Sequence, residues 1–565
     1  MKSTYPRILL PIIIGIGLLV PTLGAAPAIP TATTVSSGHS PENQVFQFAY
    51  SGVCTNWPDG SATKSTGYLW IPENCGKIKG LVIFCTNVPE HLLVNHPSIR
   101  QACEQNSLGL VWFVPSFWNF NGFKALWESA QKEGEQAKTA FQNNLRKTQV
   151  GFLQEMLEGL ATVSGYREVS SVPWLPMGES GHLLMVTGLV DERPERCIAG
   201  ICIKNPQYPK DRTVPMLWSL GTAQEWGQKK SDVRKSWLGQ RGWGRDATWP
   251  LSAIIEPGTG HFYCTDRMAA YFGKYIDAMA KARLPADGAP GLKPVDLESG
   301  FLAWLPSPKD TNPPVSSYRD SPPGDRNRLW FPTEALARDA QDFSRVNWEA
   351  KTQMPTVEAG ENCSVDPFVF QDSISRVNVT TDSEFSLKGA LLPAIPQGFV
   401  GEGDTLATTP GTPAVRWICG PVAPLGNGRF KVALDRTWKA ASCNLAVIQE
   451  GSQDVRYALQ PLAVNLVENK EGNPQTITFD PIPDVKEGTG SVSLTAKSDS
   501  GLPVSFYVES GPATVKDHVL TLTKVPPGAA YPVAVSVAAW QWGRNADPKV
   551  RTAPIVKQTF HILKN

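Results

Sequence analysis

Val172-Pro-Trp-Leu-Pro-Met-Gly178-Glu-Ser180-Gly-His182-Leu-Leu-Met-Val-Thr-Gly-Leu-Val190 decides how this chain is read. An apolar run ends at Met177, a corner of small residues follows, and a second apolar run begins at Leu183. That order predicts a buried strand, a sharp turn and a helix, with Ser180 at the apex. Such a corner forces the serine into a strained backbone conformation, so its neighbours must be small. Gly178 and Gly181 are expected to supply that room. The Ser180 hydroxyl then stands clear at the carboxyl end of a sheet. The Gly181 amide falls at a helix N-terminus, where unpaired N–H groups favour developing negative charge. The stretch follows Gly-x-Ser-x-Gly except at its last position, which is His182.

On either side of this corner, residues 43–290 alternate apolar runs with helical patterns. Val45–Tyr50 and Gly67–Ile71 read as an antiparallel lead-in. Gly80–Phe84 and Leu108–Val114 are continuously apolar, as strands of a sheet covered on both faces must be. Residues 122–163 read as helix, and Cys197–Ile203, Pro215–Leu220 and Pro250–Ile255 as further strands. The alternation predicts a doubly wound, mostly parallel α/β sheet.

A serine hydroxyl needs a base to become a nucleophile. Of His91, His96, His182 and His261, the last is best placed, in the glycine-rich loop Glu256-Pro-Gly-Thr-Gly-His261 directly after the final predicted strand. His182, two residues from the serine, does not face it on a helix and is expected to pack or to line the pocket. The imidazole needs a carboxylate in turn. Glu225, just beyond the Pro215–Leu220 strand, completes the chain order serine, acid, histidine, with Asp232 and Asp246 as alternatives.

With these residues in view, residues 43–290 resemble the α/β-hydrolase superfamily. The resemblance implies Ser180 as nucleophile, Gly181 as one oxyanion donor and His261 as base. It puts the acid three residues after the glycine that ends the preceding strand; here that position is Gln224, with Glu225 beside it. A second oxyanion donor would come from the loop after Gly80–Phe84, from Cys85, Thr86 or Asn87. Eighteen tryptophans are many for this length, and several cluster near the expected site. Trp226, Trp237, Trp243 and Trp249 lie between acid and base, and Trp112, Phe117, Trp118 and Phe120 lie in and after Leu108–Val114. Trp118, Trp226 and Trp243 are the expected walls for a sugar or aromatic ester, with core packing the competing use. Arg234, Arg241 and Arg245 among them would bind a carboxylate or stay solvated.

The rest of the chain bounds the setting. Its 565 residues exceed one domain. With a net charge of +1 and interspersed signs, nothing points to a nucleic-acid or polyanionic partner. Residues 1–26 combine a basic head, an apolar stretch and small residues, and read as a signal peptide, with 27–42 a disordered leader. Export to a secreted or periplasmic setting follows, with no membrane span in the mature chain. Ten cysteines then admit disulfides, with Cys54/Cys75, Cys85/Cys103 and Cys419/Cys443 the pairs nearest in sequence and connectivity open. Cys197 and Cys202, flanking an apolar strand, are expected as buried thiols. No cysteine pair has zinc spacing with matching histidines, so neither metal nor other cofactor is implied. Residues 291–470 read as a β-rich accessory domain. Residues 471–565 alternate apolar and polar residues between short turns, as a half-buried antiparallel sandwich does. Across Ser500-Gly-Leu-Pro-Val-Ser-Phe and Val508-Glu-Ser-Gly-Pro-Ala-Thr-Val515 they resemble bacterial immunoglobulin-like domains.

Together these readings point to a secreted serine esterase acting on an acylated polysaccharide or related ester. Two alternatives stay open. One is a binding or adhesion protein on an inactive hydrolase fold, favoured by His182, the displaced acid and the long β-rich half. The other is a polyester depolymerase.

Overall fold

The computed structural model describes residues 45–118, 123–204, 207–221, 247–286, 289, 291–305, 314–344, 350–366, 375–380, 382–397 and 402–565. The expected signal peptide and leader lie outside these residues. Eight strands form the central sheet: β1 (Phe48–Cys54), β2 (Thr63–Trp70), β3 (Gly80–Cys85), β4 (Leu108–Val114), β5 (Trp174–Glu179), β6 (Gly200–Ile203), β7 (Met216–Gly221) and β8 (Leu251–Glu256). Their spatial order is β1-β2-β4-β3-β5-β6-β7-β8. β1, β2 and β4 pair antiparallel, and β4 through β8 pair parallel. Every residue of β3 to β8 is buried, which is why those strands are unbroken apolar runs. The path reverses between β4 and β5, so the connections leaving adjacent β3 and β5 open a crevice at their carboxyl ends.

The helices are α1 (Val88–Leu93), α2 (Pro97–Asn106), α3 (Lys124–Glu133), α4 (Glu135–Ser164), α5 (Leu183–Glu192), α6 (Asp266–Arg283) and α7 (Glu334–Phe343). α6 starts at a Thr265 cap, whose hydroxyl accepts from Met268 N–H, and it packs along α2. The α/β unit runs further than residue 290. Phe301–Ala303, Ser316–Ser317 and Leu329–Phe331 make a small sheet that, with α7, packs on β8. Ser252 Oγ donates to Trp330 O at 2.6 Å and Ile255 N to Ser344 Oγ at 2.9 Å. The apolar side chains of this segment belong to the sheet's own core, so the accessory region starts near residue 351.

Two facing sheets follow. One orders Pro355–Ala359, Glu384–Leu391, Arg429–Val432 and Val422–Gly426; the other orders Cys363–Val365, Ser375–Val379, Ala458–Leu466, Cys443–Gln449 and Ala414–Cys419. Val357, Phe385, Phe430, Trp417, Leu445 and Leu462 meet between them. The last ninety or so residues are also all β, in sheets of four, three and two strands between Ile477 and Leu563. Arg436 joins three parts of the chain. Its guanidinium lies 5.0 Å from the Phe46 ring, 5.1 Å from Tyr68 and 5.3 Å from Tyr507, and donates to the carbonyls of Val508 and Glu509.

All ten cysteines are free thiols, so Cys54/Cys75, Cys85/Cys103 and Cys419/Cys443 are not bridged. Nearness in sequence misled here. Cys85 ends β3 and Cys103 lies on α2, each buried in apolar surroundings that push both thiols up to about 12. Cys197 and Cys202 are buried thiols, as read. Among the described residues no helix is long and apolar enough to cross a membrane.

Candidate functional site

β5 delivers Ser180 to the crevice. The serine has φ +51°, in the left-handed region that costs a non-glycine residue about 1–3 kcal/mol. A short 3-10 turn over Ser180–His182 leads into α5. The two glycines beside the serine differ. A Cβ on residue 178 would stand 2.6 Å from the carbonyl oxygen of His182, so only glycine fits; one on residue 181 meets nothing within 4 Å. The corner therefore needs Gly178 for room and leaves the Gly181 side open.

β8 delivers His261. Its Nε2 lies 2.7 Å from Ser180 Oγ, across 81 residues of chain. The loop that carries it is pinned from below. Glu256, the last residue of β8, is buried; its Oε1 accepts from Thr265 N at 2.8 Å, and its Oε2 from Lys204 Nζ at 2.7 Å and Thr259 Oγ1 at 3.0 Å. Lys204 is itself fully buried, so the pair is a dry ion pair directly beneath the histidine loop.

Two carboxylates that sequence reading passed over complete the surroundings. Glu179, immediately before the serine, is fully buried, and its Oε1 lies 3.1 Å from the same His261 Nε2. Its other oxygen accepts from Asn87 Nδ2, which also donates to the Glu179 carbonyl at 3.2 Å. Glu90, on α1, accepts from Glu179 N–H at 2.7 Å and lies 3.3 Å from His182 Nδ1. His182 is thus buried against Glu90, at the position where the motif would have its last glycine. When Nε2 is unprotonated it accepts the Ser180 hydroxyl; once protonated it has both Ser180 Oγ and the Glu179 carboxylate within reach. No sequence signal marks Glu179 or Glu90, because a buried carboxylate and a surface one look alike along a chain.

The remaining expected residues divide. Thr86 donates both its N–H and its hydroxyl to Phe113 O, so neither faces the serine. The Asn87 side chain is spent on Glu179, while its backbone N–H makes no hydrogen bond among the described residues. Trp118, expected as a wall, is a core residue instead. It is buried beside Phe117 and lies under Gly188 of α5. Trp249 is likewise core, edge-on to Trp218 at 5.4 Å. Glu225, Asp232 and Asp246, with Trp226, Trp237, Trp243, Arg234, Arg241 and Arg245, lie outside the described residues. The two other histidines serve structure. His96 Nδ1 caps α2 by accepting from Ser98 N at 3.2 Å. His91 Nδ1 accepts from Gly420 N at 3.3 Å, and burial pushes this imidazole down to about 3, which keeps it neutral.

No family model and no curated protein matches the chain. Solved structures resembling it include a cold-adapted esterase from an Arctic intertidal metagenomic library, at 13% identity and a TM-score of 0.27, over 41% of this chain and 92% of that one. An S-formylglutathione hydrolase from Agrobacterium tumefaciens aligns at 14% identity and a TM-score of 0.26, over 42% and 97%. A siderophore hydrolase from Aspergillus nidulans aligns at 12% identity and a TM-score of 0.25, over 44% and 96%. At such identities none of them carries a residue role to this chain.

Proposed function

We propose that this chain is a secreted serine hydrolase that cleaves carboxylic esters, with Ser180 as nucleophile and His261 as base. The single observation that carries the reading is the 2.7 Å contact between Ser180 Oγ and His261 Nε2, made by a serine held at φ +51°. In this reading Nε2 takes the hydroxyl proton as Oγ attacks the ester carbonyl. The backbone amides of Gly181 and Asn87 receive the oxyanion. Collapse of the tetrahedral intermediate passes the Nε2 proton to the leaving alcohol and leaves an acyl-serine. Water, deprotonated by the same nitrogen, then releases the acid and returns the proton to Oγ. Glu225 is the proposed partner of the imidazole, with Asp232 and Asp246 as alternatives, and Trp226 and Trp243 are the proposed substrate walls.

Acylated polysaccharide is the proposed substrate class. An exported chain, through residues 1–26, would meet such polymers, and the appended β-rich regions suit a polymer-linked substrate. Hydrolysis of short-chain aryl esters by wild type and Ser180→Ala tests the chemistry; the variant is expected to lose about 10⁴-fold or more. Equal rates would sink the reading. Acetylated, feruloylated and methyl-esterified glycans, set against a polyester film, then identify the ester. A folded wild type that is inert to all of them and to fluorophosphonate would favour the binding-protein alternative.

A further inference from the structure

Cys443–Gln449 is buried at every one of its positions, whereas Glu384–Leu391 in the facing sheet alternates buried with exposed or half-buried residues. An antiparallel strand with one wet face alternates; continuous burial means that both faces are covered. The inner face, through Leu445 and Val447, belongs to the sandwich core with Leu462 and Val464. The outer face, through Ala446 and Ile448, joins Ile418 and Leu459 in one apolar cluster with Val88 and Tyr263. Phe262 and Tyr457 pack against that cluster. Val88 directly follows Asn87, and Phe262 directly follows His261.

We infer that the sandwich of residues 355–466 is a working part of this active site, in which Ile418 and Ile448 act as positioning residues for the Asn87 and His261 loops. The inference rests on the ester-hydrolase reading and adds to it a role for a region that looks, by sequence, like an appended binding module. Two further contacts carry it. A Cβ on Gly258, three residues before His261, would stand 2.3 Å from Tyr457 O, so the histidine loop lies directly against the sandwich backbone. On the other loop, Gly420 N donates to His91 of α1, whose ring sits edge-on to Trp417 at 5.3 Å. α1 carries Glu90 and is preceded by Asn87, so its seat on Ala414–Cys419 determines where the Asn87 amide points. A module free to swing on a linker would expose this apolar face to water. Fixed in place, it contacts both loops. Misplacement by about 1 Å is enough to cost on the order of 10²-fold in rate, so small movements of these loops would be visible in kcat.

The test compares the two faces of one sheet in the full chain. Ile418→Ala/Ile448→Ala is expected to lower kcat on an aryl ester, and the rate of fluorophosphonate labelling of Ser180, by about tenfold or more, with KM within about twofold. Leu445→Ala, which removes as many carbons from the inner face as Ile448→Ala does from the outer, is expected to lower the melting temperature and leave kcat within about twofold. Ile448→Val should restore most of the rate. Should the double alanine variant not fold, Ile418→Val/Ile448→Val takes its place, with about a threefold loss expected against an unchanged Leu445→Val. Folded outer-face variants whose kcat matches that of the inner-face control would overturn the inference. A wild type in which Ser180 does not label would instead overturn ester hydrolysis itself.

Discussion

The two loops that meet at the Ser180–His261 contact are shaped by different means. The serine turn takes its shape locally, with Gly178 admitting the His182 carbonyl and the strained serine set between β5 and α5, and Glu90 of α1 then ties it down by accepting from Glu179 N–H. The histidine loop is held from a distance, by Lys204 under Glu256 and by Tyr457 against Gly258. A local device is written into a few consecutive residues. A remote one costs little sequence at the loop itself but depends on strands far along the chain. The Asn87 loop belongs to the second kind, since α1 is seated on residues 414–420.

The largest effect is expected at the ion pair that supports the histidine loop. Lys204→Met leaves the Glu256 carboxylate buried without its cation, and a loss of about 3–5 kcal/mol in unfolding free energy is expected by denaturant titration. Retained stability would mean that the loop does not depend on this pair. Next comes the serine turn. Gly178→Ala drives a methyl into the His182 carbonyl, and fluorophosphonate labelling should slow by about 10²-fold even in folded protein. Labelling at the wild-type rate would remove the steric account of the corner.

The Asn87 loop adds a pH-dependent version. Asp435 Oδ2 lies 3.8 Å from His91 Nε2, and burial raises the Asp435 carboxyl to about 6. Between the ordinary carboxylate value near 4 and this raised value, the folded state holds the proton that the unfolded state has released. The contribution of Asp435 is therefore most favourable below about pH 4 and is lost as pH rises through about 6. Asp435→Asn keeps an oxygen for the Thr437 N–H and hydroxyl, so its stability relative to wild type should rise by about 1–3 kcal/mol from pH 4 to pH 7. A flat difference across that range would show that the raised value does not operate. The smallest effect is the control: Gly181→Ala meets open space, and a stability change within about 0.5 kcal/mol is expected by thermal melting.

How far the sequence could be read follows the same division. β3, β4, β7 and β8 were legible to within a residue or two, because a strand buried on both faces must be apolar throughout. The bond between Ser180 and His261 was legible from a glycine corner and a glycine-rich loop, each following a strand. Thr86 and Trp118 were not: a threonine after a strand and a tryptophan near a loop are equally common in a core and at a site, and only the partners Phe113 and Gly188 decide. The end of the α/β unit was missed because Phe301–Ala303 and Leu329–Phe331 are short strands whose apolar faces have no period long enough to show which sheet covers them.

What the chain's own order determined, then, is the buried strands of the central sheet, the corner at Ser180 and the glycine-rich loop that carries His261, since backbone sterics and apolar periodicity act over a few neighbouring residues. Only the tertiary structure decided that Glu179 and Glu90 are buried beside them, that ten cysteines stay unbridged, and that a sandwich from residues 355–466 leans on the loops. Desolvation and packing depend on which distant surfaces meet, and a linear sequence carries no record of the far side of a contact.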